Sequence, residues 1–200
     1  MKSSPTFEFE ELLAREGVHF VAGVDEAGRG PVAGPVTAAA VILPVGTLAD
    51  FVRDSKQLSE DRRETVGKLI RERALDYSIA HIDHETIDSV NILNATRIAV
   101  EKCVDGLKVR PQVILIDGKF LNLKNRNCIS VVKGDVYISS IAAASILAKT
   151  ARDSLMRSYA DEFPQYFFER NKGYLTKEHL EAIREHGFSP IHRRSFTVQL

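Results

Sequence analysis

Four consecutive apolar residues, Val113 to Ile116, run directly into Asp117 and Gly118. Side chains alternate between the two faces of a strand, so an apolar run with no alternation reads as a strand buried on both faces. Its polar end is then the functional one, exposed at the edge of a covered sheet. A second apolar run, through Val18, Phe20, Val21 and Val24, stops in the same way at Asp25 and Glu26. Buried carboxylates without partners are strongly penalised. A divalent cation is the most direct way to satisfy two such acids at one place.

The remaining composition narrows the function classes. The chain has 200 residues, 44% of them hydrophobic and 27% charged, enough for one folded unit with a sizeable core. Its 27 basic and 27 acidic residues cancel, so any nucleic-acid binding rests on local patches. Lys119, Lys124, Arg126 and Lys133 make one such patch, and Arg184, Arg193 and Arg194 another. Cys103 and Cys128 form no CxxC pair and the histidines no HExxH array, which argues against zinc. No apolar run approaches the roughly 20 residues of a membrane span. The expected setting is soluble, reducing and cytoplasmic, with no membrane partner.

Along the chain, residues 1–16 read as a short helix or arm. Residues 18–25 and 36–43 read as strands joined through a Gly/Pro-rich turn, a hairpin. Ser59, followed by Glu60 and Asp61, is a helix N-cap opening a helix to about Arg73. A strand is expected over 77–82. The spacing of Ile92, Ala95, Ala99 and Cys103 predicts a helix over about 85–104, stopped by Arg110-Pro111. A short strand over 128–132 and a long helix over about 138–159 follow. Thr176 caps a last helix through His186, with Gly187 beyond its end. No repeat, low-complexity segment or long linker interrupts this order.

Four acids therefore stand at strand ends or helix entries: Asp25, Glu26, Asp117 and Asp135. Each alone is ordinary turn or cap chemistry. Together they would raise one another's pKa values unless a cation compensates, and oxygen-only ligands point to Mg²⁺ or Mn²⁺, one ion or two. Two such ions about 4 Å apart suit in-line phosphoryl displacement by water, with no protein nucleophile. No Ser/His/Asp or Cys/His arrangement and no GxxxxGK[ST] loop offers a competing chemistry.

With these residues in hand, the chain resembles the ribonuclease HII family, the type 2 ribonucleases H, from about Val18 to Phe196. The resemblance is carried by Gly23-Val24-Asp25-Glu26-Ala27-Gly28-Arg29-Gly30-Pro31, Asp54-Ser55-Lys56-Gln57-Leu58, Ile116-Asp117-Gly118 and Lys133-Gly134-Asp135. It continues through Ile141-Ala142-Ala143-Ala144-Ser145-Ile146-Leu147-Ala148-Lys149, Lys172-Gly173-Tyr174 and His192-Arg193-Arg194-Ser195-Phe196. It implies an α/β fold, a ribonuclease H-like mixed sheet flanked by helices, with a small C-terminal helical region. The catalytic core would cover about 18–158, the substrate-contacting region about 159–200, and residues 1–17 would form an N-terminal arm.

The implied activity is endonucleolytic cleavage of RNA in RNA/DNA hybrids and nicking at ribonucleotides embedded in duplex DNA, leaving 5′-phosphate and 3′-hydroxyl ends. Asp25, Glu26, Asp117 and Asp135 would be the catalytic, Mn²⁺- or Mg²⁺-binding acids. Gly28, Arg29 and Gly30 would read the ribose 2′-hydroxyl, since small residues there leave the backbone accessible at close range. Tyr174 would stack on the nucleotide beside the ribonucleotide. Lys56, Lys149 and Arg152 are candidate phosphate contacts, and Asp153 a supporting or surface ion-pair residue. Tyr159, Tyr166, Phe167 and Phe168 read as core or surface aromatics instead.

The chain is expected to act as a monomer, and docking on a replication clamp is not readable from it. The sequence departs from the family pattern where Phe167 follows Tyr166 and Leu175 follows Tyr174, positions where glycine is expected. Two other readings are a DNA junction resolvase of the same fold and a binding module without activity. A pure DNA enzyme would have no 2′-hydroxyl for Gly28-Arg29-Gly30 to read, and a mere binder would do better without four acids facing phosphate.

Overall fold

The computed structural model describes residues 4–47, 58–119 and 123–199. A five-stranded mixed sheet has the order β3-β2-β1-β4-β5, with β1 Val21–Ala27, β2 Val36–Ile42, β3 Asp76–Ile82, β4 Val113–Asp117 and β5 Cys128–Val131. Strands β1, β2 and β3 form an antiparallel meander, whereas β1, β4 and β5 run parallel. The described helices are α1 Glu8–Arg15, α2 Glu60–Arg73, α3 His84–Asp105, α4 Gly134–Tyr137, α5 Ser139–Glu162, α6 Phe168–Asn171 and α7 Lys177–His186. A 3-10 turn over Pro164–Tyr166 joins α5 to α6.

The two-residue period of the strands sorts the core into layers. Ala39, Val41 and Leu43 pack with Val66 and Ile70 of α2 and with the alanine-rich face of α5. The alternate residues Val36, Ala38 and Ala40 meet Ile87, Ala95, Ala99 and Cys103 of α3 on the opposite face. Strand β4 is buried on both sides, as its composition requires: Ile114 and Ile116 join the α3 layer, while Val113 and Leu115 meet Ile138 and Ile141. A further cluster of Met156, Ala160, Tyr166, Phe168, Ile183 and Ile191 ties the C-terminal helices to the end of α5.

The element boundaries correct several sequence expectations. Strand β1 begins at Val21, and Phe20 is 42% exposed. The backbone amides of His19 and Phe20 both donate to Gln112 Oε1, so a side chain holds this stretch before strand pairing begins. Helix α3 is broken at Asn91 (φ 68°, ψ 165°), where Asn91 Oδ1 accepts from the Asn94 amide at 3.1 Å and restarts the helix. Its span, His84–Asp105, otherwise agrees with the expected 85–104, but Gly106 is its C-cap and Arg110-Pro111 is not what stops it. Ser59 and Thr176 are N-caps as expected, accepting from the amides of Arg62 and His179.

Helix α5 positions the site, and residues distant in sequence fix its start. Its N-cap, Ile138, has no side chain that can cap. Glu10 of α1 does so from 130 residues away, its Oε1 accepting from the Ser140 amide at 3.0 Å. A carboxylate there also faces the positive end of the helix dipole. The same turn presses on β1. A Cβ on Gly23 would lie 2.1 Å from the Ser140 carbonyl carbon. Gly23→Ala is therefore expected to destabilise the fold by about 1–3 kcal/mol, the usual cost of overpacking, read as a lower urea midpoint.

Candidate active site

The parallel pairing of β1 with β4 sets Val24 opposite Ile116, so the next residues, Asp25 and Asp117, emerge at the same sheet edge. Asp25 is 6% exposed. It lies on the same face as Gly23, toward α5, and accepts from the Glu26 amide at 2.8 Å and from the Ser145 side chain. Asp117 Oδ1 accepts from the Gly134 amide at 2.6 Å. Gly134 begins α4, after Lys133 in the left-handed region (φ 58°). Asp135, the next residue, is buried there. The structure thus brings the 133–135 turn against Asp117.

The electrostatics of this edge are those of a site short of positive charge. Burial, then the nearby carboxylates of Glu26 and Asp117, push Asp25 well above the usual aspartate value despite the Ser145 hydrogen bond. Glu26 is pushed up by burial, opposed by Arg29 and reinforced by Asp117. Arg29 Nη1 reaches Glu26 Oε1 at 3.2 Å. Glu26 Oε2 is buried without a hydrogen-bond partner. An orphaned buried carboxylate oxygen beside a second strained acid fits a divalent cation held by oxygen. Among the described residues no group of three or more His, Cys, Asp or Glu side chains is disposed to hold a metal ion.

Beside the acids lies a cleft of about 340 Å³ lined by Glu26, Ala27, Gly28, Arg29, Gly30, Ser145, Lys149 and Tyr174. Gly28 has φ 92°, and a Cβ there would lie 2.0 Å from Arg152 Nε, so neither the conformation nor the space admits a side chain. Gly30 borders Tyr174, whose Cε1 lies 3.6 Å from where a Cβ would stand. Tyr174 is 48% exposed, free to present its ring to a ligand. Lys149 Nζ pairs with Asp153 Oδ1 at 2.7 Å, and Arg63 approaches the other oxygen.

Some expected roles fall away. Arg152 is closed off from solvent and cannot meet a phosphate: its guanidinium donates to the carbonyls of Pro35, Lys172 and Ala33. Arg193 is likewise buried and leaves the C-terminal basic patch. Asp153 is 3% exposed, a buried partner that steadies Lys149 instead of a surface residue. Lys56 lies outside the described residues. Tyr166 and Phe168 are core residues, stacked with ring centroids 5.5 Å apart. Phe167 occupies the left-handed region (φ 55°), which explains why glycine suits that position, and its ring lies under Arg170.

Two contributors were not singled out from sequence, Ser145 and the Gly134 amide. The signal for Ser145 was present, since 145, 149 and 153 recur at helical spacing on one face of α5. Their alanine-rich surroundings hid it.

A family model described as Ribonuclease HII matches residues 22–199. The chain belongs to the ribonuclease HII family. It is 48% identical over 195 residues to the ribonuclease HII of Endomicrobium trichonymphae, covering 97% of this chain and 93% of that one. Among solved structures, the ribonuclease H2 of Pyrococcus horikoshii OT3 superposes with a TM-score of 0.75 at 27% identity, over 88% of this chain and 93% of that one. A Bst ribonuclease HIII in complex with Mn²⁺ shares the fold, with a TM-score of 0.61 at 21% identity over 84% and 63% of the two chains. As a ribonuclease HII family member the protein is a ribonuclease H hydrolase, an endonuclease for RNA paired with DNA. No helix among the described residues is long and apolar enough to cross a membrane.

Proposed function

We propose that this ribonuclease cleaves the RNA strand of hybrids and also nicks duplex DNA at single embedded ribonucleotides, leaving 5′-phosphate and 3′-hydroxyl ends. The observation that carries the reading is the adjacency, within one turn of chain, of the buried Asp25 and the half-buried Glu26 to the Gly28-Arg29-Gly30 wall of the cleft. Asp25, Glu26, Asp117 and Asp135 would hold Mn²⁺ or Mg²⁺. Bound there, the cation would supply positive charge for the attacking and leaving oxygens of phosphodiester hydrolysis.

The protein's own groups do the rest. Ser145 and the Gly134 amide orient the Asp25 and Asp117 carboxylates. Arg29 is half exposed and tethered to Glu26, which keeps its backbone beside the bond to be cut. Lys149 faces the cleft on an Asp153 tether and offers a phosphate contact. Tyr174 offers a stacking surface beside Gly30. In this reading residues about 18–158 carry the chemistry and about 159–200 contact substrate, with the protein acting as a monomer.

Incubating the protein with duplex DNA containing one ribonucleotide, with and without Mn²⁺ or Mg²⁺, should give a metal-dependent nick at the ribonucleotide. Cleavage confined to long hybrids, or cutting of all-DNA junctions, would refute the single-ribonucleotide reading. Arg29→Ala should reduce the preference for that substrate over the same duplex without the ribose, while the thermal midpoint moves little because its side chain is half exposed.

A further inference from the structure

Arg193 is 1% exposed and has no part in the chemistry above. Its guanidinium is occupied by three carbonyl oxygens of the turn between β1 and β2. Nη2 donates to Gly28 O at 2.6 Å, Nη1 to Arg29 O at 3.1 Å and Nε to Gly34 O at 2.9 Å. The backbone joins in, because the Arg193 amide donates to Val32 O at 2.8 Å and the Gly34 amide to Ile191 O at 2.9 Å. The Phe196 ring lies 5.0 Å from the guanidinium carbon. From outside, Asp88 of α3 holds the same segment, accepting from the amides of Arg194 and Ser195 and from the Ser195 hydroxyl.

Peptide geometry turns this into a statement about the cleft. A trans peptide points its N–H opposite to its C=O, and no cis peptide occurs among the described residues. The carbonyls of Gly28 and Arg29 share peptide units with the amides of Arg29 and Gly30. Both carbonyls are drawn inward onto one guanidinium, so both amides face away from it. A charge-assisted bond at the carbonyl also polarises the peptide and strengthens its N–H as a donor. Arg152 serves a different stretch, the carbonyls of Ala33, Pro35 and Lys172, and leaves the Gly28 and Arg29 carbonyls to Arg193.

We propose that Arg193 is a positioning residue for sugar selectivity: by clamping the Gly28 and Arg29 carbonyls it preorganises the Arg29 and Gly30 amides as donors to the ribose 2′-hydroxyl. The proposal rests on the reading of Gly28-Arg29-Gly30 as the 2′-hydroxyl contact. It assigns selectivity to a residue that touches no substrate. Lysine can keep the charge but satisfies fewer carbonyls in fixed directions, so it is not a substitute for the guanidinium fork.

The test uses the full chain carrying Asp25→Asn to prevent cleavage, and compares dissociation constants for two duplexes that differ only in one ribose or deoxyribose. In that parent the ratio of the two constants measures selectivity. Arg193→Lys and Arg193→Met are each expected to reduce the ratio about tenfold, the worth of one net hydrogen bond, with little change for the all-DNA duplex. Asp88→Asn, which loosens the same segment from a surface position, should reduce it less and keeps the test open if the buried variants fail to fold. Circular dichroism identifies the folded variants.

A merely structural Arg193 would weaken both duplexes equally and leave the ratio intact, which overturns the proposal. The proposal also fails if the folded Asp88 variant keeps the full ratio when the Arg193 variants do not fold. A parent with no ribose preference would instead overturn the 2′-hydroxyl reading on which the proposal stands.

Discussion

Asp25→Asn is expected to lower metal-dependent cleavage by roughly 1,000-fold or more, the loss of several kcal/mol of transition-state stabilisation. The fold should survive, because an amide oxygen can still accept from the Glu26 amide and Ser145, the two donors that orient the native side chain. The metal-free protein should become more stable at neutral pH. Burial and the neighbouring acids raise the folded pKa of Asp25 above its unfolded value, so the native state prefers the proton. The stability this confers is full below the unfolded value and is lost as pH rises through the folded one. Asparagine removes that loss. Thermal melts in EDTA at pH 7.5 should show a higher midpoint for the variant, and added Mn²⁺ should stabilise the parent more than the variant. An unchanged cleavage rate would sink the assignment of Asp25 as a metal ligand.

The second large effect is acid lability of the C-terminal region. His192 is wholly buried, and its Nδ1 accepts from the Ser189 amide at 2.9 Å. That bond leaves the proton on Nε2, which points at His179 Nε2 at 3.0 Å; His179 in turn donates from Nδ1 to the Tyr174 carbonyl at 2.9 Å. The chain of bonds works only with both rings neutral. Burial, with His179 alongside, pushes His192 down to about 3, and burial lowers His179 as well. For a base with a depressed folded pKa, the unfolded state takes the proton first, so stability is full above the unfolded value near 6.5 and falls as pH drops toward the folded one. His192 alone then removes about 2 kcal/mol between pH 6.5 and pH 5, at about 1.4 kcal/mol per pH unit. Urea midpoints at the two pH values test this, and His192→Phe, which cannot be charged, should flatten the dependence if it folds. A midpoint that does not fall with pH would contradict it.

The sheet and its acids were legible because their signals are local. The unbroken apolar run of β4 requires burial on both faces, and the termination of two such runs in Asp25-Glu26 and Asp117 marks one edge once the strands pair in parallel. The caps at Ser59 and Thr176 are equally local. The break at Asn91 escaped because residues on both sides keep the helical spacing of apolar positions, and only the backbone at one residue departs from it. Arg152 and Arg193 were misread for a related reason. An arginine in sequence offers a charge, and nothing in its neighbours shows that carbonyls from a turn more than 100 residues away will surround it. The Glu10 cap on α5 escaped likewise, since an acid in an acidic amphipathic helix looks like solvated surface.

The parallel pairing of β1 with β4 also sets a timetable for synthesis. The β1-β2-β3 meander is complete by Ile82, so on the ribosome it can form while Asp25 still has no carboxylate from β4 beside it. The repulsion between Asp25 and Glu26 is there from the start, and the share from Asp117 is added only when residues near 117 emerge. The Gly28 and Arg29 carbonyls wait longer still, for a guanidinium made 165 and 164 residues after them. A nascent chain would thus own its acidic edge before the Gly28-Arg29 turn is set and, on the proposal above, before that turn could test the sugar.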